Sequence, residues 1–435
     1  MIEKIKQLTL VIGDILVLYA ALALALVIRY GAIETFLIDA HIGPFSIVFL
    51  VWIVLFYSVG LYDIRNLKNS LSFLRQYAAA LVAGVFVAIA LFYTIPYFTI
   101  SPKRNLVIFV ILFAFLELLW RWMFNQVIRA PHRGILLVGD SKEMAELAEY
   151  LSENPQTGLF VHAHFAPHDA NAIREHIATQ HPDLIIFDTA IENEQLLTQT
   201  YYELFQDTEV MDTTTAYHTI LKKIPLRELD QIWIMTRASK QRRAYKLIKT
   251  VFDYVFASVL ILIFSPLMLL AGLAVLCSSR GPMLYTQTRV GKSGYRFTIL
   301  KFRTMRVDAE KNGAQWATGT TDPRITKVGR ILRFTHIDEL PQLFNILMGD
   351  VSLVGPRPER PEFVAQLKEQ IPYYELRLLV KPGITGWAQV NHRADQSIDD
   401  ARVKLQYDIY YLKERSVVFD ILIILKTIKM FLFNY

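Results

Sequence analysis

Residues 251–277 read VFDYVFASVLILIFSPLMLLAGLAVLC, an apolar run with Ser265-Pro266 at its middle. As a straight helix it would be ~40 Å long, enough to cross a bilayer. Four earlier apolar runs, residues 8–28, 44–61, 77–97 and 106–123, each approach the ~20 residues that a crossing needs. Their flanks set the orientation. Lys4 and Lys6, then Arg65, Lys68 and Arg75, then Arg121, Arg129 and Arg133 fall on one side, which the positive-inside rule places in the cytoplasm. Lys103 and Arg104 are the exceptions. Four crossings return the chain to the cytoplasm, so a fifth would export everything after Cys277. Proline removes one helical hydrogen bond and disfavours helix at the residue before it. The run is therefore expected to bend at Ser265-Pro266 and to enter and leave by one face, as a re-entrant hairpin over residues 249–278.

The composition agrees with a membrane protein. The chain has 435 residues, too many for one ordinary domain, and is 53% hydrophobic against 20% charged. Mean hydropathy is +0.31. The net charge of +6 suits anionic headgroups and phosphorylated substrates, and nucleic acid is not expected as a partner. Cys277 is the only cysteine, which excludes an intrachain disulfide. No cleavable signal peptide is evident. Two acids lie in the apolar runs. Asp14 is expected to be solvated or paired near the cytoplasmic face, and Glu117 to form a helix-surface pair with Arg121 at i+4.

A polar region follows the four runs. Residues 134–138 (GILLV) and 182–188 (PDLIIFD) read as buried strands, with Asp140-Ser141 capping a helix between them. The pattern predicts a small α/β sheet with parallel strands. Its first turn, Gly139-Asp140-Ser141, lacks the second and third glycines of a dinucleotide fingerprint. A degenerate Rossmann-like domain over 129–238 is expected, between a four-helix bundle over 1–128 and a last domain over 239–435. The end of the chain, 417–432, mixes apolar residues with Asp420, Lys426 and Lys429, as an interfacial amphipathic helix does.

The candidate chemistry lies after the hairpin. Lys301 and Arg303 alternate onto one face of a strand, where two cations suit a diphosphate. Arg324, Arg330 and Arg333 follow, then Asp338-Glu339, then Arg357 between Pro356 and Pro358, Arg360, and a turn ending at Gln389. Prolines around Arg357 hold its guanidinium with little entropy to lose. Arginines this dense around one acidic pair point to an anion site. A carboxylate there could attack phosphorus, provided that cations neutralise the phosphate charge. Mg²⁺ is the natural divalent ion, bound by Asp338 and Glu339 together with phosphate oxygens.

The runs KFRTM (301–305), DPRIT (322–326), DELPQ (338–342), LVGPRP (353–358) and KPGITGWAQ (381–389) resemble, in order, the signatures of the bacterial sugar transferases. These are monotopic polyprenyl-phosphate hexose-1-phosphate transferases. The resemblance covers residues 249 to the C-terminus, and the preceding bundle and α/β region resemble the long forms that initiate exopolysaccharide, capsule or O-antigen synthesis. It implies a catalytic domain, mostly helical, on the cytoplasmic face of a bacterial inner membrane. It implies that Asp338 takes hexose-1-phosphate from a UDP-sugar, glucose or galactose, releasing UMP, and that Glu339 assists with metal or proton. Polyprenyl phosphate then accepts the group. Lys301, Arg303, Arg324, Arg333, Arg357, Arg360 and Gln389 become the expected substrate-binding set. Ser265-Pro266 matches the family's helix break, and Lys249 and Asp253 match charges at the start of its membrane helix. Thr250 stands where the family often has arginine. A homodimer is left open. A membrane-tethered nucleotide-sugar dehydratase would need an intact glycine fingerprint and a Tyr-x-x-x-Lys pair in context. An inactive membrane scaffold would need neither acid.

Overall fold

The computed structural model describes residues 2–31, 35–62, 71–94, 103–127, 133–154, 157–188, 208–229, 243–306, 324–392 and 397–433. Arg65, Lys68, Arg129 and Asp322 lie outside them. The chain divides into two compact units, Met1–Thr213 with Leu432–Tyr435, and Thr214–Phe431.

The first unit opens with four long helices, α1 (Ile2–Tyr30), α2 (Thr35–Val59), α3 (Leu71–Thr94) and α4 (Lys103–Val127). α1 packs on α4 and α2 on α3. An aromatic core holds them together. Phe49 stacks on Phe109 at 5.3 Å, and Trp52 meets Phe113 edge-on at 5.4 Å while donating Nε1–H to the Gly84 carbonyl. With the later helix Arg243–Ser278, five helices among the described residues are long and apolar enough to cross a membrane.

Asp14 and Glu117 meet at one guanidinium. Arg121 Nη2 reaches Asp14 Oδ2 at 2.5 Å, Nε reaches Glu117 Oε1 at 2.7 Å, and Nη1 caps the Leu61 carbonyl at 2.6 Å. Asp14 also accepts from Trp120 Nε1 at 3.1 Å. The expected Glu117–Arg121 pair forms, but all three charged side chains are buried and the pair is not on a helix surface. The i,i+4 spacing on α4 alone carries no sign of this burial. Packing α1 on α4 covers the face that carries the pair.

A parallel sheet follows, in the order β2-β1-β3-β4, from β1 (Arg133–Val138), β2 (Leu159–Phe165), β3 (Leu184–Phe187) and β4 (Glu209–Asp212). β1 is buried at every position after Arg133, which explains its continuous apolar run. Ser141 caps helix α5 (Lys142–Glu153), its Oγ accepting from Met144 N, and α6 (Ala170–Gln180) buries Ile173 and Ile177 on the sheet. At the turn after β1, Asp188 Oδ2 accepts the Ser141 N–H at 3.1 Å. An internal carboxylate thus takes a backbone donor that a pyrophosphate would need.

In the second unit, α7 (Arg243–Ser278) runs as one 36-residue helix with Pro266 inside it, so Ser265-Pro266 does not interrupt the helix. Pro266 lacks the N–H that would bond the Leu262 carbonyl. Ser265 Oγ donates to that carbonyl at 3.0 Å, which keeps the oxygen satisfied in apolar surroundings. Both flanks of α7 pack within this same unit. Near its start, Asp253 accepts from Ser352 Oγ at 2.7 Å and from Leu353 N at 3.2 Å. Near its end, Met268, Ala271 and Val275 pack with Phe302 and Leu332.

The rest of the unit is an antiparallel hairpin, β5 (Leu284–Val290) with β6 (Arg296–Phe302), then helices α8 (Lys327–Phe334) and α9 (Gln342–Met348). β7 (Ser352–Val354) pairs in parallel with β8 (Gly383–Thr385), and α10 (Pro361–Gln370), α11 (Ile398–Glu414) and α12 (Val417–Phe433) complete it. Lys249 and Asp420 form an ion pair at 2.8 Å that ties the start of α7 to α12. Ile423 of α12 is buried, while Val418 and Ile421 are exposed.

The Asp14–Arg121–Glu117 cluster predicts a stability effect. Arg121→Leu leaves two buried carboxylates without their cation and is expected to cost ~3–5 kcal/mol. Thermal unfolding of the purified protein in detergent measures it. A midpoint within 1–2 °C of the wild type would contradict the reading.

Candidate active site

Asp338 and Glu339 lie on a single 3₁₀ turn, Ile337–Glu339, between α8 and α9. His336 enters the turn in the left-handed region, at φ 55°, and this lets the chain reverse between the two helices. Two devices set the turn against β6. Thr304 O lies only 2.0 Å from where a Cβ on Gly329 would sit, so only glycine lets α8 close on that backbone. On the other side, the buried Asn345 side chain accepts from Leu300 N at 3.0 Å and donates to Thr298 O at 2.7 Å. Its amide serves β6 as a neighbouring strand would, and fixes α9 in register with Lys301.

Glu339 is held by two cations at one oxygen. Lys301 Nζ donates to Oε1 at 2.7 Å and Arg357 Nη2 at 3.2 Å. Burial alone would raise the Glu339 carboxyl, but Arg357 and Lys301 outweigh it and hold it well below the usual carboxylate range. Asp338 has neither partner and is 8% exposed. Burial, reinforced by the neighbouring Glu339 charge, pushes it up to about 6 against the pull of Lys301 and Arg333. Adjacent carboxylates are therefore driven in opposite directions, one locked as an anion and one close to neutral pH.

Arg357 is presented by a stiff loop. Gly355 and Gly383 approach so closely that a Cβ on Gly383 would lie 2.1 Å from Gly355 N. That contact joins the LVGPRP and KPGITG segments, whose strands pair Ser352 with Gly383 and Val354 with Thr385. Arg377 Nη2 donates to the Arg357 carbonyl at 2.9 Å and pairs with buried Asp408 at 3.1 Å. Arg289 Nη1 donates to the Pro358 carbonyl at 3.0 Å. Arg377, Asp408 and Asn345 were not singled out from sequence. Arg377 and Asp408 are a lone cation and a lone acid on separate elements, and only the fold shows that they pair.

The other expected residues fall as follows. Arg333 Nε donates to Thr304 Oγ1 at 2.9 Å, on the Asp338 side of the turn. Arg303 follows Lys301 by two positions but engages Ser279, through Nη2 to the carbonyl at 2.7 Å and to Oγ at 3.0 Å. The two cations expected side by side are thus committed to different partners, because Arg303 lies just past the end of β6 and closes on the chain leaving α7. Arg324 accepts from Arg306 N through its carbonyl at 3.0 Å, beside the Met305–Ile325 bridge. Arg360 stands at the N-terminal boundary of α10. Gln389 Nε2 turns back to the Ile384 carbonyl at 3.1 Å and stays within its own turn.

Among the described residues no three His, Cys, Asp or Glu side chains converge on a metal position. Two adjacent carboxylates, with Asp338 and Glu339 Oε2 outside the cation contacts, still fit a divalent ion that completes its shell with phosphate oxygens and water, as Mg²⁺ does.

Comparison with known proteins sets this geometry in context. Residues 244–434 match the family described as bacterial sugar transferase. The chain is 46% identical over 191 residues to UDP-N-acetylgalactosamine-undecaprenyl-phosphate N-acetylgalactosaminephosphotransferase of Aeromonas hydrophila, covering 44% of this chain and 45% of that protein. It is 40% identical over 221 residues to undecaprenyl-phosphate glucose phosphotransferase of Komagataeibacter xylinus, covering 50% and 39%. It is 44% identical over 190 residues to UDP-glucose:undecaprenyl-phosphate glucose-1-phosphate transferase of Caulobacter vibrioides, covering 43% and 70%. The chain thus spans less than half the length of the first two relatives.

The state of Asp338 generates a prediction independent of any substrate. Asp338→Asn removes a carboxylate that is harder to ionise folded than unfolded. The variant is expected to be more stable by ~1–3 kcal/mol above pH 6. The gain fades as pH falls from about 6 towards 4, where the folded and then the unfolded wild-type carboxyls become protonated. Melting curves at pH 7.5 and pH 4.5 check it. Destabilisation at pH 7.5 would contradict it.

Proposed function

Because this chain belongs to the bacterial sugar transferase family, we propose that it transfers a hexose-1-phosphate, glucose or galactose in type, from a UDP-sugar to a polyprenyl phosphate. The relatives' names include N-acetylgalactosamine, glucose and galactose donors, so an N-acetylated hexose belongs in the test panel. The observation that carries the reading is the asymmetry of the acid pair. Glu339 is neutralised by Lys301 and Arg357, whereas Asp338 keeps an uncommitted carboxylate close to neutral pH.

An Asp338 oxygen attacks the sugar-bearing phosphorus of the UDP-sugar. The phosphoanhydride bond breaks, and UMP leaves with the bridging oxygen. The sugar phosphate is then an acyl phosphate on Asp338. A phosphate oxygen of the polyprenyl carrier attacks the same phosphorus, the acyl phosphate bond breaks, and Asp338 returns as carboxylate. Lys301 and Arg357 offset the charge of the diphosphate, which would otherwise repel the attacking anion. Mg²⁺ bound by Asp338 and Glu339 would add neutralisation of the phosphate oxygens. This is the first membrane step of a polysaccharide pathway, on the cytoplasmic side of the bacterial inner membrane, where nucleotide sugars are made.

With UDP-sugar alone, the protein is expected to release one UMP per site and to retain the sugar phosphate. Asp338→Asn should lower this burst by at least ~10³-fold. The burst rate should fall as pH drops through about 6, since the attacking form is the carboxylate. Retained label in Asp338→Asn, or turnover in the lipid acceptor's presence without any burst, would sink the covalent route.

The proposed sidedness rests on both flanks of α7 packing in one unit. In a Cys277→Ser background, Arg280→Cys is expected to be shielded from an impermeant thiol reagent in intact cells and to label in inverted vesicles. Labelling in intact cells would show that α7 crosses completely.

A further inference from the structure

Among the described residues nothing balances the charge of Arg303. It is 6% exposed, and Nη2 reaches only the Ser279 carbonyl and hydroxyl. Its Nε and Nη1 are buried and have no acceptor, and among the described residues no carboxylate pairs with it. A buried cation with unmade hydrogen bonds is costly unless an anion arrives to meet it.

The surroundings say which anion. Ser279 is the first residue after α7, and Phe302, next to Arg303, packs with Met268, Ala271 and Val275 of that helix. The nearby surface is apolar. Ile331 and Phe334 of α8 are 63% and 73% exposed, and Leu269, Leu273 and Leu276 of α7 are also exposed. Such a surface belongs at the lipid interface, and a cation within it sits at headgroup depth. Arg303 is also linked to the acid pair. Thr304 follows it and accepts from Arg333, whose charge acts on Asp338.

Building on the transferase reading, we propose that Arg303 binds the phosphate of the polyprenyl acceptor and that Lys301 and Arg357 serve the nucleotide diphosphate. The two phosphate substrates then reach the acid pair from different sides. The donor arrives over Glu339 and the acceptor along the end of α7 past Arg303. Arg303 thus acts in the second half-reaction only.

The test compares wild type with Arg303→Met and Arg303→Lys in detergent. UMP release from UDP-sugar alone reads the first half-reaction. Transfer to undecaprenyl phosphate reads the second, and direct binding of undecaprenyl phosphate reads the site without any turnover. Arg303→Met is expected to keep the UMP burst within about twofold and to weaken acceptor binding and raise its KM by about 10- to 100-fold. Arg303→Lys should recover part of the loss. Excess phosphatidylglycerol or inorganic phosphate should not displace undecaprenyl phosphate from wild type. Equal losses in both half-reactions with a lowered melting point would make Arg303 a pin for α7 and overturn the proposal. Unchanged acceptor binding in Arg303→Met, or displacement by inorganic phosphate at similar concentration, would overturn it too. A wild type that binds undecaprenyl phosphate through Arg303 yet releases no UMP would sink the transferase reading and leave this site standing.

Discussion

A buried carboxylate costs several kcal/mol unless cations and hydrogen bonds meet it. In the second unit Glu339 meets that demand with Lys301 from the hairpin and Arg357 from the proline-framed loop. Three elements distant in sequence converge on this one oxygen. The supporting contacts exist to hold those arms in place: Asn345 against β6, Gly329 under Thr304, and Arg377 with Asp408 behind the Arg357 backbone. The same arrangement leaves Asp338 beside a permanent negative charge, and that neighbour helps to keep its carboxyl up at about 6. The two neighbours are thus shifted in opposite directions.

Much of this was legible in the sequence, for identifiable reasons. Long apolar runs need no partner to declare themselves, so the first four helices and α7 could be read directly. The strand at GILLV and the Ser141 cap are local signals too. The acidic pair and the arginines around it stood out by density, and Lys301, Arg333 and Arg357 do gather near it. The misreadings share a cause. Burial of Asp14, Glu117 and Arg121 depends on α1 meeting α4, and no window of sequence contains that meeting. Lys301 and Arg303 were paired by strand alternation, but the strand ends at Phe302 and frees Arg303 to turn towards Ser279.

α7 shows how a proline can be read as a break and appear as a continuous element. The expectation of a bend came from the lost hydrogen bond at Pro266, and the serine before it meets that loss locally. The flanks of α7 both pack within its own unit. Asp253 is bound to β7 near one end, and Val275 is packed with Phe302 near the other.

The buried cluster of the first unit bears on how the protein is made. α4 carries Glu117 and Arg121 as a matched pair one turn apart, so it can enter the bilayer as a nearly neutral segment. α1 is synthesised first and brings Asp14 with no cation within one turn of it. Its partner is not translated until the fourth helix emerges. The ion pair that buries Asp14 can therefore close only once the fourth helix is present. A chain that ends before residue 121 lacks the guanidinium that meets Asp14 in the folded unit.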